Sequence, residues 1–196
     1  LWREISKFGR KLVAYGLTGS HFGNISVRTG DNLLITRSGS MLDEIDQHMV
    51  AECSLYHEDC FDTIASSETI VHRRIYTQTS ALAVIHVHSP FAVALSLLCA
   101  DEHLVPQDTE SRYFLHRIPI VSGGVGSAEL ADGVAGALSR HKAVIARGHG
   151  TFAAGKILEE AYVNTCSVEH ACRVQYYCWL YHLSSQGNSP FLENGI

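Results

Sequence analysis

Apolar and polar positions alternate along this chain with two different periods, and the switches between them outline its elements. Over residues 1–16 the apolar side chains Ile5, Phe8, Leu12 and Val13 recur at helical spacing, which predicts an amphipathic helix. Residues 24–28 (NISVR) and 32–37 (NLLITR) read as two strands, and the short turn Thr29–Gly30–Asp31 between them predicts an antiparallel hairpin. A polar stretch follows to about residue 65. Residues 66–78 (SSETIVHRRIYTQ) return to helical spacing, with Ser66 or Ser67 as cap. The β-branched run 81–88 (ALAVIHVH) is a buried strand stopped by Pro90, and FAVALSLLCA after it is helical. A loop over 101–117 leads to the short strand IPIVS. Ser127 caps a helix through about His141, AVIARGHG and TFAAG form two strands around a turn, and one long helix runs from about Ile157 to Leu183. Strands mixed with helices in this order predict an α/β fold, layers of helix on a mainly antiparallel sheet.

Composition narrows the class. With 196 residues, 46% of them hydrophobic, the chain is long enough for one sizeable core, and residues 1–196 are expected to form a single domain. A net charge of -5 argues against nucleic acid as the main partner, although a few local donors suffice for a small phosphorylated substrate. No apolar stretch approaches a membrane span, and charges interrupt every apolar run near the N-terminus, unlike a signal peptide. The chain opens on Leu1, so a few residues are expected ahead of it. Six cysteines without a CxxC pair read as buried free thiols in a reducing compartment, hence a cytoplasmic protein.

The twelve histidines are the compositional oddity, and position selects among them. His86 and His88 lie two apart on a predicted strand, so both imidazoles fall on one face of the sheet. Their flanks, Val84, Ile85 and Val87, are apolar, and each ring brings nitrogens that need partners. A shared metal satisfies one nitrogen on each; a pair of satisfied core histidines is the competing account. Zinc sites take such a pair with a third ligand from elsewhere and leave a position open. His149 is the best third ligand, because it follows a β-branched strand and stands between Gly148 and Gly150. Three imidazoles also accept manganese, cobalt, nickel or iron.

Glu68 follows two serines at a predicted helix start. It is either a first-turn acid favoured by the helix dipole or a general acid/base beside the metal. His72, one turn on, can orient that carboxylate or simply occupy a helix face. Ser66, Ser67 and the adjoining backbone N–H groups are suited to a phosphate, and Gly23–Asn24 and Ser38–Gly39 are two more small donor-bearing loops for the same anion.

Taken together, GNISVR…LLITRSG, SSETIVHRRIY, AVIHVHSP and GHGTFAAGKILEEAY resemble the class II aldolase/adducin family, in order and over nearly the whole chain. The resemblance implies a three-layer α/β/α fold and a homotetramer with active sites between subunits. It implies zinc on His86, His88 and His149, Glu68 as acid/base, and phosphate on Gly23, Asn24, Ser38, Gly39, Ser66 and Ser67. The implied reaction cleaves a ketose 1-phosphate such as L-fuculose 1-phosphate, through a metal-stabilised enediolate, to dihydroxyacetone phosphate and an aldehyde. Family members also carry a tyrosine that reaches a neighbouring site; Tyr113 is assigned that catalytic place, with Glu110 near it and Tyr176, Tyr177 and Tyr181 as further candidates. Arg37 stands where the family often has proline. Decarboxylase, dehydratase and 4-epimerase outcomes use the same parts, although the epimerases usually carry aspartate where Glu68 stands. An adducin-like interaction protein would lack the metal site that these residues retain.

Overall fold

The computed structural model describes residues 1–185. Its centre is one eight-stranded sheet, ordered Val50–Ser54, Asn32–Thr36, Asn24–Thr29, Ala83–Val87, Gly150–Gly155, Ala143–Ala146, Ile118–Val121, His103–Leu104. The hairpin of β1 (Asn24–Thr29) and β2 (Asn32–Thr36) forms as expected, with Thr29 opposite Asn32. Strand β4 (Ala83–Val87) lies between β1 and β8 (Gly150–Gly155), antiparallel to both, and all five of its residues are buried. Strands β7 (Ala143–Ala146) and β8 are antiparallel neighbours, while β6 (Ile118–Val121) joins β7 in parallel.

Helices cover both faces. Helices α2 (Thr69–Gln78) and α5 (Ala128–Leu138) pack on one side, where Val71, Ile75, Leu130 and Val134 meet Val84, Val144 and Phe152. On the other side α1 (Trp2–Ala14) lays Ile5, Phe8 and Leu12 against Ile25, Ile85 and Val87. Beside it, α3 (Pro90–Leu98) and α6 (Leu158–Ser185) close over Ile120, Ile145 and Ala153. Residues 83, 85 and 87 of β4 face α1 and residue 84 faces α2, as the two-residue period of a strand requires. This is the expected three-layer α/β/α arrangement.

Two stretches carry more structure than their sequence suggests. The polar region before residue 65 contains β3 (Val50–Ser54), paired with β2, and a 3-10 turn at Cys60–Thr63. Strand β3 is an edge strand with Glu52 exposed, so its apolar signal is thin. The stretch 101–117 contains β5 (His103–Leu104) and α4 (Thr109–Leu115), the latter capped by Asp108 accepting from the Ser111 N–H at 2.9 Å. Helix α5 begins at Ser127 as expected, with its hydroxyl accepting from the Leu130 N–H. Helix α2 instead has Glu68 at its N-cap with no side-chain cap bond; Ser66 Oγ accepts from the Glu68 N–H at 3.3 Å. The thiols are all free, but only Cys53 and Cys172 are buried, and Cys60 and Cys178 are exposed.

Candidate metal centre

His86 sits on the α2 side of β4 in the middle of the sheet, fully buried, with its ring stacked on Phe152 of β8 at 4.1 Å between centroids. Two glycines make room for it. A Cβ on Gly150 would come within 2.3 Å of the Val87 carbonyl oxygen and 2.9 Å of His86 Cε1. At Gly23 (φ +89°) a Cβ would meet the His86 carbonyl oxygen at 2.4 Å, in a backbone conformation that side chains disfavour.

His88 lies just past the strand end, and His149 in the tight turn between β7 and β8. The ring centroids are 5.0 Å apart for His86 and His88, 4.7 Å for His86 and His149, and 4.8 Å for His88 and His149. One potential ligand atom from each lies within 4.8 Å of the others. Glu68 closes the group from the start of α2, with Oε2 3.0 Å from His86 Nε2 and Oε1 3.7 Å from His149 Nε2.

These residues fit a cation. His86 Nδ1 lies 3.1 Å from the Thr151 carbonyl oxygen, which only an N–H can satisfy. A neutral ring donating there presents a bare lone pair at Nε2, and the Glu68 oxygen 3.0 Å away brings only further lone pairs. His86 Nε2, Glu68 Oε1 and His149 Nδ1 are buried without hydrogen-bond partners. Positive charge among them resolves the conflict. Burial, then the neighbouring His86 and His149, push the pKa of His88 down to about 4 against the pull of Glu68. Burial and His86 likewise lower His149. Both rings are therefore neutral near pH 7, the form that binds metals. Burial opposes ionisation of Glu68, but His86, followed by Asn24 and His149, outweighs it and holds the carboxyl at about 2.

A cleft of about 270 Å³ opens onto this group. Gly23, Asn24, Ser38, Gly39, Ser66 and Ser67, the residues expected to hold phosphate, all line it together with Glu68, His88 and His149. Arg37 lines it too, its guanidinium anchored by donation to the His48 carbonyl oxygen at 2.8 Å. Tyr113 is not brought there: it is 76% exposed on α4. Glu110 borders a separate groove between α4 and α6. Among the three C-terminal tyrosines, Tyr176 packs edge-on against Phe91, 5.5 Å between centroids, outside the cleft.

Sequence reasoning passed over several residues here. Phe22 lies in the cleft and stacks on His88 at 5.1 Å, with His21 beside it, and Val125 lines the same cleft. Nothing in their spacing marks them, since all three occupy irregular loops. His72 was legible as a neighbour of Glu68 by helical spacing, but only their backbones bond, the His72 N–H donating to the Glu68 carbonyl at 3.2 Å, and the side chains do not meet. His72 Nε2 contacts Asn24 Oδ1 at 2.6 Å, and it is Asn24 Nδ2 that donates to Glu68 Oε2 at 3.0 Å.

Three imidazoles and a carboxylate, set where strand ends meet beside small donor-bearing loops, form a group that could hold a metal ion in a protein of the α/β/α class. Residues 3–176 match the family model for the class II aldolase and adducin N-terminal domain, and the chain belongs to that family. It is 30% identical over 156 residues to the L-fuculose phosphate aldolase of Methanococcus maripaludis strain C7, covering 79% of this chain and 84% of that one. It is 41% identical over 112 residues to a probable bifunctional methylthioribose-1-phosphate isomerase/methylthioribulose-1-phosphate dehydratase of Nocardia farcinica, a match spanning 55% of this chain but 20% of that longer protein. The crystal structure of L-fuculose-1-phosphate aldolase from Thermus thermophilus superimposes with a TM-score of 0.86 at 34% identity, covering 97% of this chain and 98% of that one.

Proposed function

We propose that this protein is a zinc-dependent lyase that cleaves a ketose 1-phosphate, such as L-fuculose 1-phosphate, to dihydroxyacetone phosphate and an aldehyde. The observation that carries the reading is the convergence of His86, His88 and His149 on Glu68 at the floor of a cleft whose rim is built from phosphate-type loops. His86, His88 and His149 would hold the cation, which supplies electrophilic stabilisation of negative charge on substrate oxygens. Ser38, Ser66, Ser67 and the backbone at Gly23, Asn24 and Gly39 bind the phosphate, assisted by the N-terminus of α2. Arg37 adds a fixed positive charge at the same rim. Glu68, ionised at rest and facing the imidazoles, takes up a proton and delivers it to the carbon of the phosphorylated fragment left by C–C cleavage. Burial of His86 and Glu68 keeps bulk water from that carboxylate.

The protein acts as a cytoplasmic homotetramer of single-domain subunits. Tyr113, exposed on α4, reaches the cleft of a neighbouring subunit and relays away the proton that the aldehyde-side hydroxyl loses as the C–C bond breaks. Exposed Leu97 and Leu98 on α3 and Trp179 and Leu180 on α6 support such an interface, because apolar side chains of this size seek a covering surface.

The 41% identity to the Nocardia dehydratase over 112 residues favours a second reading, loss of water from a ketose 1-phosphate. Glu110, on the same helix as Tyr113, would then be the group contributed by the neighbour. Incubation of the metal-loaded protein with a panel of ketose 1-phosphates and a 3-keto acid phosphate, with product identification, tests both. Release of an aldehyde with dihydroxyacetone phosphate supports the lyase; a dehydrated product retaining every carbon replaces it with the dehydratase; carbon dioxide from a 3-keto acid phosphate replaces both.

A further inference from the structure

Behind Glu68, a line of polar side chains runs into the core of the protein and takes no direct part in the chemistry above. It is built from two elements. Glu68, His72 and Tyr76 lie at four-residue intervals on α2 and its cap, and Asn24 and Ser26 lie at a two-residue interval on β1. Two strand residues rise about 6.6 Å and four helical residues about 6 Å, so the two rows stay in step. Every member is buried: Glu68 is 3% exposed, Asn24 5%, Ser26 and His72 0%, and Tyr76 1%.

The contacts have a single polarity. Asn24 turns its amide nitrogen to Glu68 Oε2, 3.0 Å away, and its oxygen to His72 Nε2 at 2.6 Å. An amide oxygen only accepts, so His72 carries its proton on Nε2. Fully buried and touching no acid, the ring is neutral, which leaves Nδ1 bare. The Ser26 hydroxyl, 2.6 Å from Nδ1, therefore donates to it, and the Tyr76 hydroxyl, 2.6 Å from Ser26 Oγ, donates to Ser26. All the protons point toward Glu68. Turned the other way, the Asn24 amide would set oxygen against carboxylate and N–H against N–H.

We infer that His72 is a positioning residue: through its Nε2–H it fixes the orientation of the Asn24 amide, which in turn anchors Glu68 through Oε2 and so sets how the carboxylate faces the imidazoles. Held through Oε2, the carboxylate places that oxygen 3.0 Å from His86 Nε2 and Oε1, which has no hydrogen-bond partner, 3.7 Å from His149 Nε2. One amide contact thus fixes the orientation of a carboxylate whose two oxygens both border the imidazoles. Its kinetic consequence rests on the lyase reading of Glu68; its geometry does not.

Two experiments test it. The first is a long-range proton–nitrogen spectrum of the full-length, metal-loaded protein labelled with 15N-histidine. His72 should appear as a single neutral Nε2–H tautomer, and an Nδ1–H tautomer or an imidazolium overturns the inference. That spectrum needs no variant, so it stands even where a substitution fails to fold. The second compares His72→Leu with His72→Gln, whose amide places a donor near the Nε2 position. With thermal midpoint and metal content retained, the leucine variant should lose about 10- to 100-fold in kcat with KM unchanged, and the glutamine variant should recover most of it. Equal losses in the two folded, metal-loaded variants overturn the inference. Full turnover by Glu68→Gln would instead remove the lyase role of Glu68 while the His72 tautomer stood.

Discussion

The two oxygens of Glu68 meet different surroundings, and the behaviour of the site follows from that asymmetry. Removing the charge while keeping the shape separates proton transfer from architecture. Glu68→Gln is expected to fold and bind metal but lose about 10²- to 10⁴-fold in turnover, checked by metal analysis beside steady-state kinetics. The histidines give the metal-free protein a pH signature. An unfolded histidine takes up a proton near pH ~6.5. In the fold His72, held down chiefly by burial, stays neutral to about 3, and His88 to about 4. Across that window the unfolded chain binds more protons, so stability rises with pH. It is fully present above pH ~6.5 and is lost as pH falls through the folded values. Thermal midpoints of the chelator-treated protein should therefore drop steadily from pH ~6.5 toward 4, and a flat profile would contradict this assignment.

At the scale of elements, β4 and its neighbours decide whether His86 has anywhere to sit. Gly150→Ala forces a methyl against the Val87 carbonyl and the His86 ring. Overpacking of that kind costs about 1–3 kcal/mol. It should lower the thermal midpoint by several degrees and weaken metal retention in equilibrium dialysis. Gly136→Ala, on the exposed side of α5 with nothing within 4 Å of the added carbon, should stabilise by about 0.4–1 kcal/mol and leave metal retention alone. The elements themselves were largely legible. Helical spacing gave α1 and α2, a serine cap gave α5, a short turn gave the β1–β2 hairpin, a continuous apolar run gave β4, and a long aromatic-rich stretch gave α6. Edge strand β3 and short α4 escaped, because a half-exposed strand and a helix of two turns present too few apolar positions to stand out. Of the site, the three imidazoles and Glu68 were visible because alternation and glycine flanks have a geometric meaning. Ser26 and Tyr76 were hidden because their partners lie on another element, and Phe22 because a loop has no period to read.

For the molecule as a whole, the central question is what Tyr113 touches. Its exposure on α4, away from the cleft of its own chain, gives two linked expectations. Sedimentation should return about four times the 21.5 kDa mass of one chain. Tyr113→Phe should leave that mass and the metal content unchanged while slowing turnover about 10²-fold or more. Turnover equal to that of the unsubstituted protein would shift attention to Glu110. A charge at Leu97, 66% exposed on α3, should dissociate the assembly if this apolar face is part of the contact.

The order of strands has a consequence for synthesis. Strands β1 to β4 form one contiguous half of the sheet and β5 to β8 the other, joined where β4 meets β8. His86 and His88 belong to the first half and His149 to the second. A growing polypeptide thus exposes two of its imidazoles well before the ribosome has delivered the third. Ion capture with the full set of ligands must wait until the chain has passed the turn at His149, so loading follows the joining of the two halves of the sheet.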